Sequence, residues 1–251
     1  MFLEGLNMKI IVNGVNGRMG KEVAKLINEG MHNSQLAAGV DIFSDDEDVY
    51  TRLSDYNGPA DCVVDFSSHL ATKELLNYCI SRKLPVVIAT TGHTKEENDL
   101  IEKAADKIPV FFSANMSLGV ALLASLARTV AKTMRGANIE IVEKHHNRKV
   151  DVPSGTALLI AKEIKQELQD YDLLVGRNEN GKRPEKEIGI HSLRLGNIVG
   201  EHEVIVATDS QVITLKHEAQ SRSLFAEGAL DAARFICTKQ PGLYSMKDLV
   251  K

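Results

Sequence analysis

Residues 143–156 read Glu143-Lys144-His145-His146-Asn147-Arg148-Lys149-Val150-Asp151-Val152-Pro153-Ser154-Gly155-Thr156. Two imidazoles, one guanidinium and one ammonium fall within residues 145–149. Imidazoles exchange protons near neutral pH, and together with an ammonium they hold carboxylates. The following Ser154-Gly155-Thr156 reads as a helix start, whose exposed N–H groups can take a second carboxylate. The grouping suits capture of a small dianion beside proton-exchanging groups, and standing alone it equally suits a solvated basic loop. A metal centre fits less well, because adjacent side chains diverge and His191, His202 and His217 are scattered through β-like runs.

A second chemical motif is Gly14-Val15-Asn16-Gly17-Arg18-Met19-Gly20. Glycines between a strand and a helix let the backbone turn sharply and approach a pyrophosphate, whose charge meets the helix N-terminus. Asp41 follows 21 residues after Gly20, where a carboxylate can accept hydrogen bonds from a ribose diol. The spacing is G-x-x-G-x-x-G, with Asn16 where the usual fingerprint has its second glycine, so an ordinary tight turn is the alternative. Ala89-Thr90-Thr91-Gly92 ends a later apolar run and can line the nicotinamide side of such a cleft, or serve as a loop with hydroxyl caps.

These groups need elements to place them. Runs at 9–13, 36–41, 62–65, 85–89 and 110–113 are short and apolar, and helical stripes at 18–28 and about 69–82 separate them. A Thr94…Glu97 capping box opens a further helix to about residue 107. Such alternation predicts a parallel sheet covered on both faces. From residue 117 the rhythm changes to a long apolar helix (118–134), a strand (138–144) and a helix capped near Ser154 or Thr156 (154–169). Runs at 188–195, 198–208 and 211–217 follow, separated by short turns that imply antiparallel pairing. An amphipathic helix spans 223–238.

The sequence thus predicts an α/β fold. A Rossmann-like parallel-sheet dinucleotide-binding domain covers 1–116; the last helix can return to either domain, and the expectation is that 223–251 return to this one. A smaller α+β domain with a mixed, largely antiparallel sheet covers 117–222 and serves substrate binding and oligomerisation.

Composition narrows the function. The 251 residues are 43% hydrophobic and 25% charged, which is ordinary globular usage. The net charge is −4, with no Trp and 5% aromatics, so neither a global field nor stacking platforms favour nucleic acid. Cys62, Cys79 and Cys237 form no C-x-x-C pair and read as idle thiols in a reducing compartment. No apolar run approaches a bilayer span, and residues 1–7 lack the features of a secretory signal, so the expectation is a cytoplasmic protein with a ragged N-terminal extension.

The ordered set GVNGRMG, IATTGHT, FSANMSLGV, EKHHNRKVDVPSGTA, LRLGNIVGEHEV and GLYSMKDL resembles, from Met8 over nearly the whole chain, the dihydrodipicolinate reductases of lysine and diaminopimelate biosynthesis. The segment HHNRKVDVPSGTA is the most specific part. Departures are Asn16 and Leu195, where the family commonly has glycine, and Val152, where it often has alanine. The resemblance implies reduction of 4-hydroxy-tetrahydrodipicolinate, a cyclic-imine dicarboxylate, to tetrahydrodipicolinate with loss of water. By position it implies His145 as proton donor or acceptor and Lys149 as proton donor, with His146, Gly155 and Thr156 touching substrate. Cofactor contacts fall on Gly14, Val15, Asn16, Gly17, Arg18, Met19, Asp41, Ala89, Thr90, Thr91, Ser113, Ala114, Asn115 and Met116.

The implied cofactor is NADH or NADPH. Asp41 and the absence of Arg or Lys at Ile42, Phe43 and Ser44 lean toward NADH, while Arg18 can swing toward a 2′-phosphate. The family is usually tetrameric, and the 188–217 strands carry more apolar positions than a helix pair covers, so a homotetramer is expected. A different Rossmann oxidoreductase and a non-catalytic dinucleotide sensor are the rival classes.

Overall fold

The computed structural model describes residues 7–250. The expectation for the N-terminal extension lies, apart from Asn7, outside the described residues. The chain divides into two compact units, one built from residues 7–117 with Ser223–Leu249 and the other from Leu118–Arg222.

The first unit begins with β1 (Met8–Asn13), α1 (Arg18–Asn28), β2 (Ser34–Val40), β3 (Val49–Tyr50) and β4 (Cys62–Asp65). It continues with α2 (Thr72–Arg82), β5 (Val86–Ile88), α3 (Lys95–Ala105) and β6 (Pro109–Phe112). The second unit runs α4 (Leu118–Thr133), β7 (Asn138–His145), α5 (Gly155–Lys165), β8 (Asp172–Val175), β9 (Glu187–Arg194), β10 (Gly200–Ala207) and β11 (Val212–Ala219). The chain then adds α6 (Ser223–Ile236) and β12 (Gly242–Tyr244) to the first unit.

In the first unit the strand order is β12-β6-β5-β4-β1-β2-β3, all parallel. Strand order reverses at β1, flanked by β4 and β2, and ligands of such sheets bind outside the strand carboxyl ends at that point. Ile10, Ile11, Val12, Val63, Val64, Val86 and Val87 are fully buried, as continuous apolar strands covered on both faces require. Two members escape the sequence pattern: β3 has two residues and β12 three, too few to show a period.

The second sheet has the order β11-β10-β7-β9-β8. Pairing is antiparallel across β11-β10-β7 and parallel across β7-β9-β8. One sequence expectation is corrected here. The runs at 188–195 and 198–208 do not form a hairpin, because β7 lies between them. The intervening turn is instead tied to the segment after β7: Leu195 N–H donates to His145 O, and His146 N–H to Ile198 O.

The sheet face under α4 and α5 is laid down in rows by the strand register. Ile139, Ile188 and Val206 form one row and Ile141, Ile190 and Val204 the next, all fully buried with Ala127, Ala157, Ile160 and Ile164. The third row changes character: Ser192, Glu143, His202 and His217 lie side by side on β9, β7, β10 and β11. A fourth pairs Arg194 with His145. Alternation along Ile139, Ile141, Glu143 and His145 therefore carries an apolar core straight into a charged one.

Candidate active site

In the first unit, the predicted dinucleotide contacts gather at one edge of the sheet. Residues 14–19 follow β1, Asp41 follows β2, residues 89–91 follow β5, and residues 113–116 follow β6. The glycines of the turn answer real steric demands. Gly14 has φ of 80°, and a Cβ on it would lie 2.8 Å from the Phe66 and Ser67 backbone. A Cβ on Gly20 would lie 2.0 Å from Gly14 O, so only hydrogen lets α1 start this close to β1.

Gly17 is the N-cap of α1 and supplies no side-chain cap, while Asn16, Gly17 and Arg18 are exposed. An open helix start of this kind fits a pyrophosphate. Val15 is buried against the sheet and Met19 half-buried. Asp41 accepts the Asn16 and Phe43 N–H groups, both at 3.1 Å, which fixes its carboxylate beside the turn. Ala89 N–H donates to Asp65 O, Thr91 is exposed, and Ser113 Oγ donates to Asn115 O at 2.7 Å in a tight turn. Ala114 is exposed and Met116 buried.

Sequence reasoning missed the group behind this edge. Asp65, 1% exposed, accepts hydrogen bonds from Asn13 Nδ2 (2.7 Å), Ser67 Oγ (2.6 Å) and Thr90 Oγ1 (3.4 Å). Burial raises its carboxyl to about 6, and these neutral donors offset that only in part. A charged residue closing the apolar run Cys62-Val63-Val64-Asp65 was the available signal.

In the second unit the basic segment becomes an ordered loop between β7 and α5. His145 is 8% exposed, and its Nδ1 stands 2.5 Å from Glu143 Oε2. Glu143, fully buried, also receives Arg194 Nη1 on Oε2 and Nη2 on Oε1, each at 2.8 Å, and Ser154 N–H on Oε1 at 3.2 Å. Burial alone would raise this carboxyl, yet hydrogen bonds from His145 and Arg194 hold it well below the ordinary range. A carboxylate only accepts, so His145 carries its proton on Nδ1 and leaves the lone pair on Nε2, which lies toward Gly200 of β10.

Lys149 Nζ lies 2.8 Å from Asp151 Oδ1, and Arg194 Nη2 donates to Asp151 O. The Nδ1 of His146 is buried with no partner among the described residues, and burial with the cations Arg148 and Arg222 lowers its basicity. An orphaned buried nitrogen of this kind fits a ligand that completes it. Gly155 is exposed, and a Cβ built on it would meet nothing within 4 Å, which leaves the first turn of α5 open. Thr156 is half-buried on the same turn.

Ser154 is the N-cap: its Oγ accepts Ala157 N–H at 3.1 Å and shares a hydrogen bond with His202 Nε2 at 3.0 Å. Burial, followed by the nearby His145, pulls His202 down to about 4. The predicted residues His145, His146, Lys149, Gly155 and Thr156 thus share one loop and helix start. Ser154, one of the two cap residues the sequence offers, holds that loop together with Glu143, Arg194 and His202, which lay in the sequence without assigned roles. Among the described residues no cluster of three or more His, Cys, Asp or Glu is arranged to hold a metal ion.

Comparison with known proteins completes the assignment. The family model described as dihydrodipicolinate reductase, N-terminus, matches residues 8–116, and the one described as dihydrodipicolinate reductase, C-terminus, matches residues 119–250. A 4-hydroxy-tetrahydrodipicolinate reductase of Caldanaerobacter subterraneus subsp. tengcongensis is 50% identical over 248 residues, covering 97% of this chain and 98% of that one. The enzyme of the same name from Clostridium novyi is 43% identical over 251 residues, with 97% and 98% covered. Among solved structures, a dipicolinate-bound dihydrodipicolinate reductase from Paenisporosarcina sp. TG-14 superposes with a TM-score of 0.82 at 23% identity, covering 97% of this chain and 100% of that one. With its glycine turn on one sheet and its HHNRKVDVPSGTA loop on the other, the chain belongs to the dihydrodipicolinate reductase family of oxidoreductases.

Proposed function

We propose that the protein reduces 4-hydroxy-tetrahydrodipicolinate to tetrahydrodipicolinate in the diaminopimelate route to lysine, with NADH or NADPH held by residues 1–116 and 223–251 and the dicarboxylate by residues 117–222. The observation that carries the reading is the ordered basic loop, which sets His145, His146 and Lys149 beside an open α5 start. A cationic loop and a helix N-terminus make a receptor for two carboxylates. The Paenisporosarcina reductase was solved with dipicolinate bound, a cyclic dicarboxylate of that shape.

The net change is loss of the ring hydroxyl as water, addition of hydride and addition of one proton. When bound, the dihydronicotinamide supplies the hydride. Gly14, Val15, Asn16, Gly17, Arg18 and Met19 meet the pyrophosphate, Asp41 the ribose, and Ala89, Thr90, Thr91, Ser113, Ala114, Asn115 and Met116 the nicotinamide side. Nε2 of His145 and Nζ of Lys149 exchange protons with the reacting ring, while His146, Gly155 and Thr156 orient its carboxylates. Asp41, with exposed Ile42 and Phe43 after it and no cation before Ser44, makes NADH at least as good a cofactor as NADPH.

The protein works in the cytoplasm as a homotetramer. Leu173, Val175, Leu193 and Val212 of the second sheet are 40%, 48%, 40% and 62% exposed and suit a partner subunit. Sedimentation at micromolar concentration should show a species well above 27.5 kDa, and a monomer alone would overturn the assembly.

The decisive experiment follows dihydronicotinamide absorbance with freshly generated substrate. His145→Gln and Lys149→Ala should each lower kcat by roughly 10² to 10⁴, the range for lost proton transfer, without change in circular dichroism. Near-normal kcat in both variants would place the chemistry elsewhere. A preference for NADPH of about tenfold, or roughly 1.4 kcal/mol, would overturn the cofactor assignment.

A further inference from the structure

At the head of the basic loop stands Glu143, a buried carboxylate with no part in the proton transfers assigned to His145 and Lys149. Its two oxygens receive four donors: Arg194 Nη1 and His145 Nδ1 on Oε2, Arg194 Nη2 and Ser154 N–H on Oε1. These donors come from three places. His145 ends β7, Arg194 ends β9, and Ser154 begins α5 after the basic loop has closed. Arg194 also reaches Asp151 O, and Asp151 in turn holds Lys149. One buried carboxylate is therefore joined to both proposed proton-exchanging residues and to the helix start proposed to receive the substrate.

We propose that Glu143 is the positioning residue of this reductase: it sets the tautomer of His145 and, with Arg194, fixes the two ends of the basic loop against each other. The proposal rests on the assignment of His145 to proton transfer, but its structural half can be read independently of turnover. The other charged and titratable groups facing the cluster are His202 and His217 from β10 and β11, and Lys149 and Asp151 from the loop. None of them offers His145 Nδ1 a second carboxylate at hydrogen-bond distance.

The substitution Glu143→Gln exposes the logic. An amide must present NH₂ where one oxygen stood, and apart from the Ser192 hydroxyl beside it on β9 every neighbour is a donor. Ser154 N–H is backbone and cannot change, and a guanidinium has no acceptor. Of the two groups on Oε2, only the imidazole can adapt, by moving its proton from Nδ1 to Nε2. The variant should therefore carry His145 as the Nε2–H tautomer, blocking the nitrogen needed to accept a proton. In serine proteases the analogous loss of a histidine-orienting carboxylate leaves the wrong tautomer and drops kcat by about 10⁴.

The test combines ring ¹⁵N spectroscopy of His145 with kinetics. In the wild-type protein the neutral ring should show the Nδ1–H tautomer, and in Glu143→Gln the Nε2–H tautomer. Turnover of the variant should fall roughly 10²- to 10⁴-fold while KM for the dinucleotide stays within about twofold. Glu143→Gln combined with His145→Gln should be no slower than His145→Gln alone, since both remove one function. An Nε2–H ring in the wild type, or an unchanged ring in a folded Glu143→Gln, overturns the proposal whatever the kinetics, as does additive loss in the double variant. Should His145→Gln alone retain normal kcat, the proton-transfer assignment fails, and the ring spectra still decide whether Glu143 sets the tautomer.

Discussion

Asp65 and Glu143 are both carboxyl groups sealed from water near the carboxyl end of a central strand, at 1% and 0% exposure, yet their acidities are shifted in opposite directions. Asp65 meets an amide and two hydroxyls, neutral donors that stabilise an anion too weakly to repay its desolvation. Its carboxyl rises to about 6. Glu143 meets a guanidinium fork and an imidazole and remains ionised far into acid. Burial sets the cost, and the charge of the donors decides whether it is met. The first unit thus keeps a carboxyl poised near neutrality behind the dinucleotide edge, whereas the second keeps a permanent anion behind its basic loop.

The comparison breaks most visibly if its cation is removed. Arg194→Met leaves Glu143 buried without the fork and should cost about 3 to 5 kcal/mol in denaturant unfolding, as for other buried pairs cut on one side. A loss below about 1 kcal/mol would mean that His145 and Ser154 suffice. Opposite pH dependences come next. His202 is neutral down to about 4 when folded but protonates near 6.5 when unfolded, so its contribution is present above 6.5 and is lost as pH falls toward 4. At 1.36 kcal/mol per unit this amounts to about 3 kcal/mol, and His202→Asn should flatten the acid limb of the stability curve.

Asp65 runs the other way. Its stability contribution is full below the unfolded value of 3.8 and is lost as pH rises through about 6. Asp65→Asn should therefore stabilise the protein at pH 7.5 by up to about 3 kcal/mol and bring no gain at pH 3.8. Equal effects at both pH values would show that burial leaves the Asp65 carboxyl at its unfolded value. The smallest expected effect is steric: a methyl on Gly200 would lie 3.2 Å from His145 Nε2 and displace the ring. Gly200→Ala should lower kcat about tenfold with little change in unfolding midpoint. Unchanged turnover would show that the ring has room to move.

How far the sequence reveals this arrangement depends on the reach of each signal. The helix at Arg18–Asn28 and the Thr94–Glu97 capping box are local, and both stand where periodicity and cap chemistry place them. The basic loop is legible because its chemistry is concentrated in consecutive residues. The two buried carboxyls are not, since Glu143 gains its meaning from Arg194, 51 residues away, and Asp65 from Asn13, 52 away. Such partners are joined by strand register, which no single segment encodes. The false hairpin at 188–208 has the same origin: a short turn looks local, but β7 is inserted between its arms.

The discontinuity of the first unit has a consequence for how the protein is made. Its helix α6 lays Ala226, Ala229, Leu230, Ala233 and Ile236 against β4, β5, β6 and α1, and β12 adds the last strand beside β6. Both are encoded after residues 118–222, which make up the other unit and emerge from the ribosome as one uninterrupted stretch. At about 5 to 20 residues per second, translating that stretch takes roughly 5 to 20 seconds. During that time the part of the parallel sheet that α6 covers, over β4, β5 and β6, stands without its helix, while the second unit has all of its own strands in hand. Biosynthesis therefore delivers the basic loop of the second unit before the parallel sheet of the first receives α6 and β12.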